Sequence, residues 1–219
     1  MQKIGHRGAK GYVAENTLAS FQKAIDLGCD GIELDVHLSL DGEIMVIHDE
    51  TINRTTNGVG YVKDINASEL IQFGIPTLEE VVLLINKKCT INIEIKNPKA
   101  TTKVVTLVEK YIHENQYNCN QFLISSFDWD VLTQISQLNS NLLIAVLTDE
   151  NLENALAFAT KIKAYSINPF FQLLDKEKVT LLQQNGFLVF PWTVNDAHEI
   201  ELLKSFNVDG IISDFPNRI

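Results

Sequence analysis

Short apolar runs alternate with amphipathic segments along the whole chain, and their spacing predicts a regular succession of strands and helices. The predicted strands lie at 3–6, 32–36, 91–96, 122–125, 142–147, 164–167, 187–192 and 210–213. The predicted helices lie between them at 17–27, 77–86, 101–115, 129–138, 152–161, 175–185 and 197–206. We predict Asn16 as the N-cap of the first helix and Gly186 as the C-cap of the helix ending at 185. Eight parallel-type strands separated by helices predict an α/β fold, a (β/α)8 TIM barrel.

The strand at 32–36 has the clearest pattern and contains the first candidate chemistry. Three apolar side chains alternate with Glu33, Asp35 and His37, so the polar side chains share one face. Two neighbouring carboxylates on one face repel each other and resist burial unless a cation lies between them. Hard divalent ions such as Mg²⁺ or Ca²⁺ prefer such oxygen ligands. We therefore expect one divalent metal ion here; a solvated strand face is the alternative, which the flanking apolar residues disfavour.

A hairpin is predicted directly after this strand. Asp41 and Gly42 separate it from a second apolar run at 44–47, which ends in His48 and Asp49. Because a hairpin returns the chain to where it started, His48 should lie close to Glu33. The hairpin and the polar, turn-rich segment 50–73 then form a small hairpin-plus-loop insertion, about residues 37–76, after the second strand.

Composition limits the classes of function. The 219 residues are 45% hydrophobic and 21% charged, which is ordinary for a globular protein, and we expect a single domain over 1–219. The formal charge of −10 argues against nucleic acid as a partner, because duplex binding uses clustered Lys and Arg. An anionic substrate would have to be attracted by a local cationic site. The oligomeric state is left open by the sequence.

The cysteines and the N-terminus bear on the compartment. The three cysteines are odd in number and widely spaced, which predicts small buried or half-buried thiols rather than a disulfide framework or a metal site. The first ten residues contain no apolar core of signal-peptide length, and no apolar run is long enough for a membrane helix. We therefore expect a cytoplasmic protein without an integral membrane segment.

Polar residues gather at the predicted C-terminal strand ends, where barrels of this class place their chemistry. The residues are His6, Arg7, Glu33, Asp35, Glu94, Lys96, Trp192 and Asp214, with His48 returning from the hairpin. Random scattering would place about half of them at the opposite ends of the strands. The pattern predicts one site built from many strands.

Several short motifs occur in this same order along the chain. They are HRG at 6–8, ENT at 15–17, GIELDVHLSLDGEIMVIHD at 31–49, IPTLEEV at 75–81, IEIK at 93–96, PWTVN at 191–195 and GIISDFP at 210–216. Together they resemble the glycerophosphodiester phosphodiesterase family over residues 4–216. The family usually has proline before ENT, where this chain has Ala14. That departure removes no catalytic group.

The resemblance implies hydrolysis of a glycerophosphodiester, a small-molecule substrate, to glycerol 3-phosphate and an alcohol. The implied metal ligands are Glu33, Asp35 and Glu94. The implied acid–base pair is His6 and His48. The implied contacts to phosphate and substrate are Arg7 and Lys96, with Trp192 as an apolar wall. A phosphodiester is an anion with a poor leaving group, so cations, a Lewis acid and two imidazoles suit its hydrolysis.

Alternatives stay open at this level. The residues do not assign acid and base between the two histidines, choose Mg²⁺ or Ca²⁺, or decide between attack by water and attack by the glycerol 2-hydroxyl. A lysophospholipid substrate and a non-catalytic module that binds phosphorylated ligands are the competing functions. A barrel lyase using Lys96 as its base would leave the two histidines without a purpose. We expect a supporting or surface role for His37, and Asp49 and Asp214 are candidates for orienting a histidine or lysine.

Overall fold

The structure is a computed structural model that describes residues 1–114 and 116–219. Its centre is a sheet of parallel strands in the order β8-β7-β6-β5-β4-β2-β1-β9. These strands are β1 (Gln2–Gly5), β2 (Gly31–Leu38), β4 (Thr90–Ile95), β5 (Phe122–Ser126), β6 (Leu143–Thr148), β7 (Ser166–Pro169), β8 (Leu188–Val189) and β9 (Gly210–Ser213). A further strand, β3 (Ile44–Val46), pairs antiparallel with β2.

The two ends of the sheet meet and nearly close it into a barrel. The amide of Asp209 donates to the carbonyl of Val189 at 3.2 Å, and the amide of Ile212 donates to the carbonyl of Pro191 at 2.9 Å. The predicted strand at 187–192 is wrong in length, since β8 has only two residues. Beyond Val189 the chain still pairs with the β7 side, through the amide of Trp192 to the carbonyl of Pro169 at 3.2 Å and a single bridge between Phe170 and Trp192, but not as a regular strand. The predicted (β/α)8 barrel is confirmed.

Helices alternate with the strands around the barrel. They are α1 (Leu18–Asp26), α2 (Ala67–Gln72), α3 (Leu78–Ile85), α4 (Thr101–Glu114), α5 (Trp129–Leu138), α6 (Leu152–Ile162), α7 (Lys176–Gln184) and α8 (Ala197–Ser205). The predicted end of the fourth of these at 115 lies outside the described residues. The C-cap of α7 is Asn185, and Gly186 follows it with φ +89°. The predicted cap is therefore displaced by one residue.

The start of α1 differs from the prediction in a way that matters for the site. Thr17 is the N-cap, because its hydroxyl accepts from the amide of Ser20. Asn16 has φ +56° and donates its side-chain amide to Oδ2 of Asp35 at 2.9 Å. Both residue types favour caps, so sequence alone chose the wrong one. The amide of Asn16 is held by the site instead.

The apolar core has an outer and an inner part. Ile32, Leu34 and Val36 of β2 are fully buried in the larger cluster, between the sheet and the helices. Burial of one such side chain stabilises the fold by about 1.5–3 kcal/mol. A smaller cluster consists of Ile4, Leu123, Ala145, Phe190 and Ile212. Its members come from strands all round the barrel and form an apolar layer inside it.

Residues between β2 and α3 form a compact unit at the barrel mouth. Val36, His37 and Leu38 of β2 pair with Val46, Met45 and Ile44 of β3, in that order. The segment 50–73 contains helix α2 and packs around its own apolar cluster. That cluster consists of Met45, Ile47, Ile52, Val62, Ala67, Leu70 and Ile75. The expectation of loop throughout this segment is wrong, because six residues of helix carry too little periodicity to detect.

Candidate active site

Three carboxylates meet at the C-terminal ends of β2 and β4. Glu33 and Asp35 point to the same side of β2, and Asp35 pairs in register with Glu94 of β4. One carboxylate oxygen from each of the three lies within 4.8 Å of the other two. All three side chains are buried. The structure thus brings together the three predicted metal ligands.

The electrostatics of this triad are those of a site built for positive charge. Burial, together with Asp35 and Glu94, raises the pKa of Glu33 well above its usual range. Burial and the charge of Asp35 raise the pKa of Glu94 to about 7. Burial opposes ionisation of Asp35 too, but Lys96 and Arg7 outweigh it and lower the pKa of that carboxyl.

An orphaned oxygen tests whether a metal fits. Oδ1 of Asp35 is buried and accepts no hydrogen bond from the described residues, and the Nζ of Lys96 pairs with it only at 3.4 Å. Buried carboxylate oxygens without partners are costly unless they are compensated. An all-oxygen donor set from three carboxylates suits Mg²⁺ or Ca²⁺. The residues therefore fit a single divalent cation.

His6 lies beside the triad in a fixed orientation. Its Nδ1 is 2.6 Å from Oδ1 of Asp214, and Nδ2 of Asn195 donates to Oδ2 of Asp214 at 2.9 Å. An ionised carboxylate only accepts hydrogen bonds, so Nδ1 of His6 carries the proton. The other ring nitrogen, Nε2, lies 4.0 Å from Oε2 of Glu33. Asp214 therefore has the partner that the sequence could not name.

His48, which lies just after β3, is also oriented by an aspartate. Its Nδ1 is 2.7 Å from Oδ1 of Asp49. Nε2 of His37 donates to the backbone carbonyl of His48 at 3.0 Å, so His37 has the expected supporting position. His6 and His48 line one cavity with Glu33 and Glu94. Burial lowers the pKa of both imidazoles from the ordinary value.

The two predicted phosphate contacts lie against the carboxylates. The backbone amide of Arg7, a residue with φ +49°, donates to Glu33 at 3.0 Å, and its Nε lies 3.3 Å from Oδ2 of Asp35. Nζ of Lys96 lies 2.5 Å from Oε1 of Glu94 and 3.4 Å from Oδ1 of Asp35. Both cations also line the cavity that contains the histidines.

An aromatic wall closes one side of the cavity. Trp192 donates its indole Nε1–H to the carbonyl of Asn168 at 2.8 Å. The ring of Phe127 meets Trp192 edge to face with centroids 5.4 Å apart, and Phe170 lies 5.7 Å from Trp192 on another side. Phe127 was not predicted as a site residue. Its signal was position, since it follows the end of a predicted strand by two residues.

Two further residues escaped the sequence analysis as members of the site. Glu15 accepts a hydrogen bond from Nη1 of Arg7 at 2.8 Å. The ENT motif that contains Glu15 supports the family resemblance but does not by itself predict this contact. Arg54 donates to both Asp49 and Glu15. Arg54 lies in the segment without periodicity, so no signal marked it.

Fold and site together define a class of protein: barrel enzymes that combine a buried carboxylate cluster with histidines and cationic side chains at the C-terminal strand ends. In the described part of the chain, no helix combines the length and apolarity that crossing a membrane requires.

Comparison with known proteins gives the family. Residues 6–218 match the glycerophosphoryl diester phosphodiesterase family. A glycerophosphodiester phosphodiesterase of Caldanaerobacter subterraneus subsp. tengcongensis is 39% identical, over 99% of this chain and 95% of its own length. The chain belongs to the glycerophosphoryl diester phosphodiesterase family, and is by that membership a phosphodiesterase.

Solved structures show the same fold. A glycerophosphodiester phosphodiesterase from Thermotoga maritima has a TM-score of 0.87 at 32% identity, covering 99% of this chain and 96% of that one. An Oleispira antarctica phosphodiesterase in complex with its product sn-glycerol 3-phosphate has a TM-score of 0.90 at 25% identity, covering 100% of this chain and 95% of that one.

Proposed function

We propose that this protein hydrolyses glycerophosphodiesters to sn-glycerol 3-phosphate and an alcohol, with one divalent cation and two histidines. The observation that carries the proposal is one cavity, lined by Glu33 and Glu94 of the buried carboxylate triad and by two imidazoles, each oriented by an aspartate. The sn-glycerol 3-phosphate in the Oleispira antarctica relative supports the choice of substrate. The family match over residues 6–218 supports a single domain as its seat.

Glu33, Asp35 and Glu94 hold the cation in this proposal. When bound, a divalent cation supplies positive charge and Lewis acidity at the phosphate. Arg7 and Lys96, already at the triad, neutralise the charge of the phosphodiester. The guanidinium offers a planar fork to two phosphate oxygens, whereas the ammonium acts as a point charge.

His6 and His48 move the protons. Because Nδ1 of each ring donates to an aspartate, Nε2 is the nitrogen that exchanges a proton with the reacting oxygens. One Nε2 accepts the proton of the attacking water or glycerol 2-hydroxyl, and the other histidine, which at that point carries a proton on both ring nitrogens, donates its Nε2 proton to the leaving oxygen. Each role contributes about 10²–10⁴-fold in rate. Comparing the rates of the His6→Ala and His48→Ala variants on substrates with different leaving groups would assign the acid and the base.

Trp192 forms an apolar surface for the carbon skeleton of the glycerol. Its ring contacts the rings of Phe127 and Phe170, and its one polar atom is already hydrogen-bonded to the carbonyl of Asn168. The ring therefore presents an apolar face at little cost in ordering, since it is fixed before the substrate arrives.

The test is release of sn-glycerol 3-phosphate from glycerophosphocholine and glycerophosphoethanolamine, with and without EDTA. We expect metal-dependent release that His6→Ala and His48→Ala each reduce by at least about a hundredfold. His113→Ala, at an exposed histidine of α4, is the matched control and should retain activity. Activity that survives EDTA and both substitutions contradicts the assignment of the site. Cleavage of lysophosphatidylcholine alone would contradict the substrate.

A further inference from the structure

Arg54 lies outside the catalytic cavity and makes two bidentate ion pairs. Its Nε and Nη2 donate to the two carboxylate oxygens of Asp49 at 2.7 and 3.0 Å. Its Nη1 and Nη2 donate to the two carboxylate oxygens of Glu15 at 3.0 and 2.7 Å. A guanidinium is the side chain that can satisfy two carboxylates at once in fixed planar geometry.

Each of these carboxylates holds one working group of the site. Asp49 accepts from Nδ1 of His48 at 2.7 Å, and Glu15 accepts from Nη1 of Arg7 at 2.8 Å. A continuous path of charged hydrogen bonds thus runs from His48 through Asp49, Arg54 and Glu15 to Arg7. The path joins the insertion after β2 to the loop after β1.

Without Arg54 the two carboxylates would be held less firmly. Burial opposes ionisation of Glu15, but its hydrogen bonds to Arg54 and Arg7 hold the pKa of that carboxyl at about 2. Lys10 is the other cation near Glu15, at 3.7 Å, which is too long for a direct hydrogen bond. Loss of Arg54 leaves Glu15 with one hydrogen bond from Arg7 in place of three from two guanidinium groups, and leaves Asp49 with its hydrogen bond to His48.

Stability of the fold is a poor explanation for this arrangement. The Arg54 side chain is 48% exposed, and ion pairs at exposed positions contribute little to stability. The segment that contains Arg54 has its own buried apolar cluster and is tied to β2 by the β3 ladder. Removal of the guanidinium should therefore leave the fold in place.

We propose that Arg54 is a positioning residue that orients His48 and Arg7 together, through Asp49 and Glu15. The inference rests on the proposed function, because it assigns Arg54 a part in proton transfer and phosphate binding. A residue that orients groups in contact with the substrate typically changes activity by about 10- to 100-fold.

The kinetic experiment compares Arg54→Ala and Arg54→Lys with wild type on glycerophosphocholine. We expect Arg54→Ala to lower kcat and to raise KM, for a combined loss in kcat/KM of about 10- to 100-fold. Arg54→Lys, which keeps the charge but not the fork, should recover only part of that loss. Lys110→Ala is the matched control, because Lys110 is equally exposed at 48% and pairs with Glu79 at 3.0 Å, remote from the site.

A double-mutant cycle separates positioning from general destabilisation. If Arg54 acts through Asp49, the loss in kcat for Arg54→Ala combined with Asp49→Asn is smaller than the product of the single losses. Independent losses that multiply, or an Arg54→Ala variant with the kcat and KM of the Lys110→Ala control, would overturn the inference.

The state of His48 supplies a readout that does not depend on turnover. In wild type, ¹⁵N spectra should show the His48 ring with its proton on Nδ1, and in Arg54→Ala a mixture of the two tautomers. If wild type cleaves no glycerophosphodiester, the proposed function fails, but this spectrum still tests whether Arg54 orients His48. An unchanged His48 spectrum in Arg54→Ala would overturn the inference.

Discussion

Replacing Asp214 with asparagine should inactivate His6 by moving its ring proton from Nδ1 to Nε2. Asn195 accepts the backbone amide of Asp214 at 2.9 Å through Oδ1, so its Nδ2–H must point at the side chain of residue 214. An introduced amide therefore turns its oxygen to Asn195 and its NH₂ to His6. Nδ1 of His6 must then accept, which places the ring proton on Nε2, the nitrogen that faces Glu33.

The structure sets the size of this effect. The 2.6 Å contact between Nδ1 and Oδ1 is a charge-assisted hydrogen bond, and such bonds contribute about 1.5–3 kcal/mol. Since about 1.4 kcal/mol corresponds to a tenfold change in rate, Asp214→Asn should lower kcat by about 10- to 150-fold. The imidazolium form is destabilised in the same step, because the anion beside it is gone.

The assay is steady-state hydrolysis of glycerophosphocholine across pH. The loss should appear in kcat with little change in KM, because Asp214 is not among the residues that line the cavity. Asp130→Asn, at an exposed aspartate of α5, is the control for the substitution itself. A kcat within about threefold of wild type would refute the argument that Asp214 fixes the tautomer of His6.

Three further outcomes are expected. Excess EDTA should abolish hydrolysis, and added Mg²⁺ or Ca²⁺ should restore it. Glu94→Gln should raise the metal concentration needed for half-maximal activity by about 10-fold or more. If this variant is restored at the wild-type metal concentration, Glu94 is not a ligand. Burial raises the pKa of Cys29 and of Cys89 to about 12. A disulfide reagent at pH 8 should therefore react quickly with one thiol of the native protein, the exposed Cys119, and with all three only after denaturation. Fast reaction of three thiols in the native protein would contradict the burial of Cys29 and Cys89. Leu34→Ala, at a fully buried position, should lower the free energy of unfolding by about 2–5 kcal/mol in urea titration, and a loss below about 1 kcal/mol would contradict its placement in the core.

The barrel and the two carboxylates of β2 could be predicted from local periodicity, whereas the family resemblance implied Glu94 as the third member of the triad. Alternation along β2 places Glu33 and Asp35 on one face whatever else the chain does. Parallel pairing then brings Glu94 next to Asp35, since both lie near the C-terminal ends of adjacent strands. Predictions of this kind need only the pattern within each strand and the order of strands.

The partners of the site residues required tertiary structure. His6 and Asp214 are 208 positions apart, and no local pattern joins them. Arg54 lies in a segment that folds around its own small apolar cluster. The spacing of apolar residues therefore could not predict where the Arg54 side chain points. Asn16 was assigned a local role as a cap, because the long-range hydrogen bond to Asp35 that overrides this preference leaves no mark in the sequence.

The hydrogen bond between His6 and Asp214 also has a consequence for biosynthesis. His6 directly follows β1, the first strand of the barrel in chain order, whereas Asp214 directly follows β9, the last strand of the barrel. A nascent chain that has already assembled β1 to β8 still presents His6 without the carboxylate that orients it. In the proposed mechanism, His6 therefore reaches its working orientation only when β9 closes the barrel, although the three carboxylates of the triad are synthesised much earlier.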